Sequence, residues 1–135
     1  MNRIYEKLKG NKNFKDKLIF DEIKNCLTIT FHEYLRLEYF EGNYTACYDE
    51  GLINFYYGSF NNAGHQHIQD DEEALETVIG FSNGNEIFIE DTSRFSLVKL
   101  RVLEKKNFEK KKEKYMAKKS LRIYSGNSII KRSAE

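Results

Sequence analysis

The strongest constraint on the fold of this chain is the alternation of apolar and polar residues from Leu27 to Tyr39. Leu27, Ile29, Phe31, Leu35, Leu37 and Tyr39 fall on one face, and Thr28, Thr30, His32, Arg36 and Glu38 fall on the other. A period of two is that of a β-strand with one buried face. The pattern predicts one long strand over these residues.

Short turn signals follow this strand and predict a β-meander. Glu41-Gly42-Asn43 and Asp49-Glu50-Gly51 separate two further segments, which we predict to be strands at 44–48 and 52–57. Connections this short favour antiparallel pairing. Residues 95–103 fit a strand or the start of a long helix, and their β-branched alternation favours the strand. Two shorter strands are predicted at 86–90 and 121–124.

Helical patterns lie on both sides of the strand region. Residues 1–24 have loosely spaced apolar side chains among charges, which predicts an N-terminal helical segment with a break near Gly10-Asn11. A second helix is predicted over 70–81, because Asp70 and Glu73 have the spacing of a capping box. Its apolar stripe is expected to comprise Ala74, Leu75, Val78 and Ile79, and Ser82-Asn83-Gly84 is expected to end it.

These elements predict an α+β fold: an antiparallel β-meander sheet with a few packing helices and a basic C-terminal helix. A chain of 135 residues has the usual length of one domain. We expect a single domain over 1–124, with the sheet core in 27–103 and a frayed tail over 125–135. The absence of proline and the frequent Asn, Lys and Ile are typical of an AT-rich bacterial or phage coding sequence.

Charge is divided into blocks along the chain. No Lys or Arg occurs from Leu37 to Ser93, where twelve acidic residues lie, whereas residues 94–135 contain fourteen basic and four acidic residues. The formal net charge is only +1. Such segregation concerns the surface and its partners more than the fold.

We call residues 37–93 the acidic window and residues 94–135 the basic block. The acidic window contains more Tyr and Phe residues than one face of a sheet can bury. Exposed aromatic and acidic side chains suit the binding of a basic protein, because aromatics anchor and charge accelerates association. We therefore predict a protein-binding module, a stoichiometric inhibitor with a protein partner. The candidate contact residues are Glu38, Glu41, Tyr44, Tyr48, Asp49, Glu50 and Tyr56.

A resemblance in layout supports this hypothesis. An aromatic meander, the segment Gly64-His65-x-His67-Ile68, an acidic helix with Ala74-Leu75 and Val78-Ile79, and a short strand are similar to small bacterial immunity and antitoxin proteins. The resemblance covers about residues 39–90 and implies tight binding of a cognate toxin. The basic C-terminal block departs from the mostly acidic members of that group.

His65 and His67 suggest a second hypothesis, a metal site. Side chains two residues apart on a strand share a face, and Asp70 and Glu72 supply nearby oxygen ligands. His32 is a further candidate ligand. The spacing resembles the first metal motif of the cupins, but the second motif is absent, and we interpret that likeness as coincidental. We expect no cofactor, with one divalent metal as the alternative.

The segment 105–119 suggests a third hypothesis, association with nucleic acid. It is predicted to be one helix with eight lysines, a composition that attracts phosphates. Phe108 and Tyr115 lie seven residues apart and are expected to dock the helix on the domain. The candidate nucleic-acid contacts are Lys110, Lys111, Lys112, Lys114, Lys118 and Lys119.

Enzymatic activity has little support in the sequence. No nucleophile elbow or phosphate loop occurs, and neither Cys26 nor Cys47 has an activating neighbour. No apolar run approaches the length of a membrane span, and the N-terminal residues lack the apolar core of a signal peptide. The sequence therefore favours a cytoplasmic binding protein that does not contact the membrane.

Overall fold

A computed structural model describes residues 2–41, 52–57, 65–68, 71–92 and 99–132, with side chains except at 54–57, 65–68, 71 and 99–101. The helices and strands are α1 (Arg3–Leu8), β1 (Leu18–Asp21), β2 (Cys26–His32), β3 (Leu35–Phe40), β4 (Leu52–Tyr57), β5 (His65–Ile68), α2 (Asp71–Asn83), β6 (Glu86–Asp91), β7 (Lys99–Glu104), α3 (Lys105–Lys110), α4 (Lys112–Ala117), β8 (Leu121–Ser125) and β9 (Ile129–Lys131). A 3₁₀ helix spans Lys12–Phe14.

The predicted α+β class is confirmed. One sheet has the order β1-β2-β3-β4-β5, and the second has the order β7-β6-β8-β9. β1, β2 and β3 form an antiparallel meander, and every pairing in the second sheet is antiparallel. Among the described residues, no helix has the length and apolar content that a membrane span requires.

The long strand predicted over Leu27–Tyr39 is a hairpin. β2 and β3 are separated by Glu33 and Tyr34, and Leu27 pairs with Tyr39 while Ile29 pairs with Leu37. His32 pairs with Leu35 across the turn, so a two-residue turn alone would reverse the parity of the pattern. The register irregularity between Thr30 and His32 adds one residue to β2 and restores it, so odd-numbered positions face the same side in both strands. Glu33-Tyr34 has none of the Gly, Asn or Asp residues that normally mark a turn, which explains why the pattern alone predicts one strand.

The strand predicted at 52–57 is present as β4, but its pairing differs from that of a simple meander. β4 pairs parallel with β3, and β5 pairs parallel with β4. Two predicted reversals lie between β3 and β4, and two reversals restore the original direction of the chain. The predicted antiparallel pairing of β3 with the next strand of a meander is therefore wrong, because β3 pairs with β4 in parallel. The predicted strand 44–48 lies outside the described residues.

The N-terminal segment is only partly helical. α1 and the 3₁₀ helix occupy its first half with a break at Gly10, as predicted, but Leu18–Asp21 forms β1 instead of a helix. β1 pairs antiparallel with β2, and its Phe20 stacks on Tyr5 of α1 at a centroid distance of 4.7 Å. Hydrogen bonding to the edge of β2 stabilises this segment as a strand, and this outweighs its weak helical pattern.

Helix α2 lies close to its predicted bounds and ends at the predicted signal. Gly84 has φ of 85°, and the Asn85 N–H donates to the Gly80 carbonyl at 2.8 Å, as in a Schellman C-cap. Ala74, Val78 and Phe81 are fully buried, whereas Ile79 is 38% exposed. Phe81 therefore takes the core position that the sequence predicts for Ile79, because the spacing of four and three residues follows the helix more closely.

Strand β6 is apolar on both faces because it separates two cores. Phe88 packs into the main core, which also includes residues of α1, α2 and the first sheet. Ile87 and Ile89 face a second core, completed by Phe108, Leu121 and Ile123. The predicted strand over 86–90 is confirmed.

The C-terminal region has more structure than the sequence predicts. The prediction of one helix over 105–119 is wrong, because the segment forms two short helices, α3 and α4, with Lys111 between them at φ of −125°. The predicted frayed tail contains β9, which pairs antiparallel with β8. The prediction of a frayed tail is wrong over Ile129–Lys131, because these three residues have no strand pattern of their own in the sequence. They are stabilised by the edge of β8.

Candidate nucleic-acid interface

Helices α3 and α4 are held to the protein by two aromatic rings. Phe108 is 1% exposed and packs in the second core beside Ile87 and Ile89. Tyr115 of α4 stacks on Phe108 with ring centroids 5.7 Å apart and an interplanar angle of 11°. The prediction that these two residues dock the segment on the domain is confirmed.

This docking turns the lysines of α3, α4 and the following residues toward solvent. All eight lysines between positions 105 and 119 are exposed. Lys106 pairs with Glu104 at 3.6 Å, and Lys118 pairs with Asp91 at 2.8 Å. We define the lysine surface as Lys110, Lys111, Lys112, Lys114 and Lys119.

The break at Lys111 shapes this surface. Residues 109–114 line an open depression of about 570 Å³. Four of these residues belong to the lysine surface, and Glu109 and Glu113 lie among them. A concave, mostly basic surface can approach a phosphate from several sides, which suits the binding of a polyanion.

The predicted protein-binding residues are only partly described. Glu38 is half-buried on β3. The Glu41 side chain is 6% exposed and forms an ion pair with the Arg3 guanidinium, in which Arg3 Nε lies 3.1 Å from Glu41 Oε1. Glu41 thus takes part in an intramolecular ion pair. The remaining candidates lie outside the described side chains: Tyr44, Tyr48, Asp49, Glu50 and Tyr56.

The predicted metal ligands are likewise brought together only in part. His65 and His67 lie two residues apart on β5, as predicted, but their side chains and Asp70 lie outside the described part. Glu72 is exposed on α2. Among the described residues, no group of three His, Cys, Asp or Glu side chains could hold a metal ion. A site at His65 and His67 stays a prediction.

His32 has a different role from metal ligation. Its Nδ1 accepts the Tyr34 N–H at 3.1 Å, and its Nε2 lies 2.9 Å from the Ser125 carbonyl. Because a backbone N–H can only donate, Nδ1 is the acceptor and Nε2 carries the proton. Both ring nitrogens are engaged within the protein.

The structure brings the acidic and basic blocks together within the second sheet. β6, the last described strand of the acidic window, lies between β7 and β8 of the basic block. Glu90 is fully buried and lies 3.3 Å from the Arg122 guanidinium. The Asp91 carboxylate accepts hydrogen bonds from the Lys118 ammonium and from the Ser120 hydroxyl. Part of the acidic charge is therefore neutralised within the chain.

The environment of Cys26 is opposite to that of a reactive thiol. Burial raises the pKa of the Cys26 thiol to about 12, and the negative charges of Glu38 and Asp21 add to the shift. A nucleophilic cysteine needs the reverse, a lowered pKa. The expectation that Cys26 is not activated agrees with this environment.

Sequence reasoning misses an aromatic cluster near the C-terminus. Tyr34 and Tyr124 stack with centroids 6.3 Å apart, and the Arg132 guanidinium lies 4.2 Å from the Tyr34 ring centroid. Arg132 also donates to the Tyr124 hydroxyl at 3.1 Å. Positions so far apart in the sequence have no common pattern that would reveal the cluster.

Comparisons with protein-family models, curated proteins and solved structures find no match to this chain. The resemblance to immunity and antitoxin proteins stays a prediction.

Proposed function

We propose that this protein is a binding protein that associates with nucleic acid through the lysine surface of α3 and α4. The proposal rests on the exposure of all eight lysines between positions 105 and 119. Phe108 and Tyr115 occupy the opposite side of the segment, where they pack on the second core. The lysines are thus presented by a docked scaffold.

The expected binding mode is electrostatic and does not depend on base sequence. Lysine ammonium groups contact phosphates as point charges and release condensed counterions from the nucleic acid. The aromatic rings of this segment pack against the protein, with Phe108 buried, so stacking on bases is not part of the proposal. The expected ligand is therefore a phosphate backbone of any sequence.

A matched pair of charge variants tests this proposal. K110Q/K111Q/K112Q/K114Q removes four positive charges from the lysine surface, whereas K7Q/K12Q/K15Q/K24Q removes four exposed positive charges elsewhere. Fluorescence anisotropy with a labelled random duplex of about twenty base pairs should show binding weakened at least tenfold by the first variant and much less by the second. An equal loss of affinity in the two variants would mean that only the net charge of the protein matters, and this would contradict the proposal.

A protein partner for the acidic window is the second candidate function. It is favoured by the outer face of α2, where Glu72 and Glu76 are exposed and Ile79 is 38% exposed. An apolar side chain beside carboxylates is a suitable anchor for a basic protein. The intramolecular pairs of Glu41, Glu90 and Asp91 leave fewer acidic groups for this partner than the sequence predicts.

The test of this second function uses charge reversal in the acidic window. Asp49→Lys together with Glu50→Lys should slow association with a partner captured from the host lysate and flatten its salt dependence. Association that is unchanged by the reversal would contradict a role for the predicted acidic surface.

A further inference from the structure

We propose that a pocket at the junction of the two sheets binds a small oxyanion, a carboxylate or a phosphate. This inference is independent of the lysine surface. The pocket has a volume of about 540 Å³ and lies between the 3₁₀ helix, β2, the end of α2 and the β8–β9 turn. Its polar lining comprises Asn13, Lys17, His32, Ser82, Asn83 and Asn127.

Two glycines allow the walls of this pocket to approach each other. A Cβ atom at Gly126 would collide with the Phe81 carbonyl, so only glycine lets the β8–β9 turn lie against the end of α2. Gly84 has φ of 85°, and a Cβ there would lie 3.1 Å from the Asn127 amide. The close contact of turn and helix end places Asn127 and Asn83 in one cavity.

The amide side chains offer hydrogen-bond donors to this cavity. The Asn83 Oδ1 accepts the Asn85 N–H at 3.0 Å, and the Asn127 Oδ1 accepts the Ser125 hydroxyl at 2.7 Å. With their carbonyl oxygens engaged in this way, both amides have their NH₂ groups to present to a ligand. A ligand that accepts hydrogen bonds is therefore preferred.

Lys17 supplies the positive charge of the pocket. Its Nζ donates to the Phe31 carbonyl at 3.1 Å, and the side chain is half-buried. An ammonium group has three N–H donors, so this bond positions the group and leaves two donors for a ligand. None of the eight described lining residues carries a carboxylate, and His32 uses both ring nitrogens within the protein. Charge and donors together favour an anion.

The C-terminal end of α2 would by itself disfavour an anion, because helix carbonyls carry partial negative charge there. In this helix the Gly80 carbonyl accepts the Asn85 N–H at 2.8 Å, and the Phe81 carbonyl accepts the Gly84 N–H at 3.3 Å. These cap bonds satisfy two carbonyls of the last turn of α2 and so reduce its unfavourable effect on an anion. The Lys17 ammonium and the amide N–H groups remain the groups of this pocket that attract an anion.

The test is a titration of the ¹⁵N-labelled full chain with inorganic phosphate and, separately, with acetate, followed by the side-chain amide resonances in NMR spectra. Saturable shifts of Asn13, Asn83 and Asn127 are expected, and sodium chloride at matched ionic strength should not reproduce them. Shifts that chloride reproduces equally, or no saturation with either anion, would overturn the proposal.

Three variants locate the site. Asn83→Asp keeps the oxygen that accepts the Asn85 N–H and replaces the donor with a negative oxygen, so it should abolish saturation. Lys17→Gln should weaken binding about tenfold or more, and the exposed Lys15→Gln should not. Anion binding that survives Asn83→Asp in a folded protein would contradict the pocket. The lysine-surface variant should bind the anion normally, which separates this test from that of the proposed function.

Discussion

His32 joins the two sheets directly. It belongs to β2 of the first sheet, and its Nε2–H reaches the Ser125 carbonyl of β8 in the second sheet at 2.9 Å. The ring also lies edge-on to Tyr34 and Tyr124, at centroid distances of 6.5 Å and 5.9 Å. One side chain thus combines an inter-sheet hydrogen bond with aromatic packing.

Replacing His32 with alanine should lower the free energy of unfolding by about 2 kcal/mol, because it leaves two partly buried backbone groups without their imidazole partner. Urea denaturation measures this difference. Thr30→Ala, at an exposed position on the same strand, is the control and should change stability by less than about 0.5 kcal/mol. Similar values for the two variants would show that His32 does not connect the sheets.

Glu86 is a second residue whose environment has a measurable consequence. Burial raises the pKa of its carboxyl group, and the negative charge of Glu104, directly opposite on β7, raises it further. The folded state therefore holds the proton of Glu86 more tightly than the unfolded state does. The stabilisation from this group is fully present below about pH 4 and is lost as the pH rises through the raised pKa.

The variant Glu86→Gln should be more stable than the wild type at neutral pH by about 0.5–1 kcal/mol, the usual magnitude of a like-charge pair across strands. The difference should shrink as the pH falls and vanish well below about pH 4, where Glu86 is protonated in the folded and unfolded states. Thermal unfolding across this pH range measures it, with the exposed Glu22→Gln as control. A variant without a neutral-pH gain would contradict the repulsion between Glu86 and Glu104.

At the scale of elements, the β2–β3 hairpin shows how far the sequence pattern reaches. The alternation correctly predicts the inward positions of Leu27, Ile29 and Leu37, each fully buried. It does not predict the turn at Glu33-Tyr34, because the turn and the register irregularity between Thr30 and His32 together leave the parity of the buried positions unchanged. Faces follow from local sequence, whereas pairing partners depend on the whole fold.

Helices α3 and α4 depend on one buried anchor. Phe108 of α3 is buried in the second core, and Tyr115 of α4 stacks on its ring. Short helices with so few apolar residues are marginal in isolation. Tertiary packing at Phe108 therefore stabilises the segment that carries the lysine surface.

Phe108→Ala should cost about 3–5 kcal/mol of stability, as expected for a large side chain removed from a core. Chemical denaturation gives the total, and hydrogen exchange should show the greatest loss of protection in α3 and α4. Met116→Ala, at a position 38% exposed, is the control and should have a small effect. An equally small effect of Phe108→Ala would contradict the anchoring role.

At the scale of the whole molecule, the charge blocks have a partly internal explanation. Glu90 and Asp91 belong to the acidic window, and Arg122 and Lys118 belong to the basic block. Glu90 of β6 meets Arg122 of β8 at 3.3 Å, and Asp91 meets Lys118, which follows α4, at 2.8 Å. The net charge of a segment therefore overstates the charge that a partner meets. The lysine surface stays basic because its helices lie outside this sheet.

The two candidate sites differ in how well the sequence could predict them. The lysine surface is contiguous, so composition alone identifies it, although the ion pair of Lys118 with Asp91 was beyond prediction. The oxyanion pocket joins Asn13, Lys17, Asn83 and Asn127, which come together only when both sheets and α2 are assembled. No local pattern marks such residues, because their proximity is a property of tertiary packing.

The central claim is that the lysine surface binds phosphates, and the salt dependence of binding tests it most directly. The measurement is the slope of log K against log salt for a random duplex, from about 50 to 300 mM salt. It compares the wild type, Lys112→Gln, K111Q/K112Q and K110Q/K111Q/K112Q/K114Q. We predict that the slope falls in magnitude by about one for each lysine removed. A slope that is the same in all four proteins would contradict the claim.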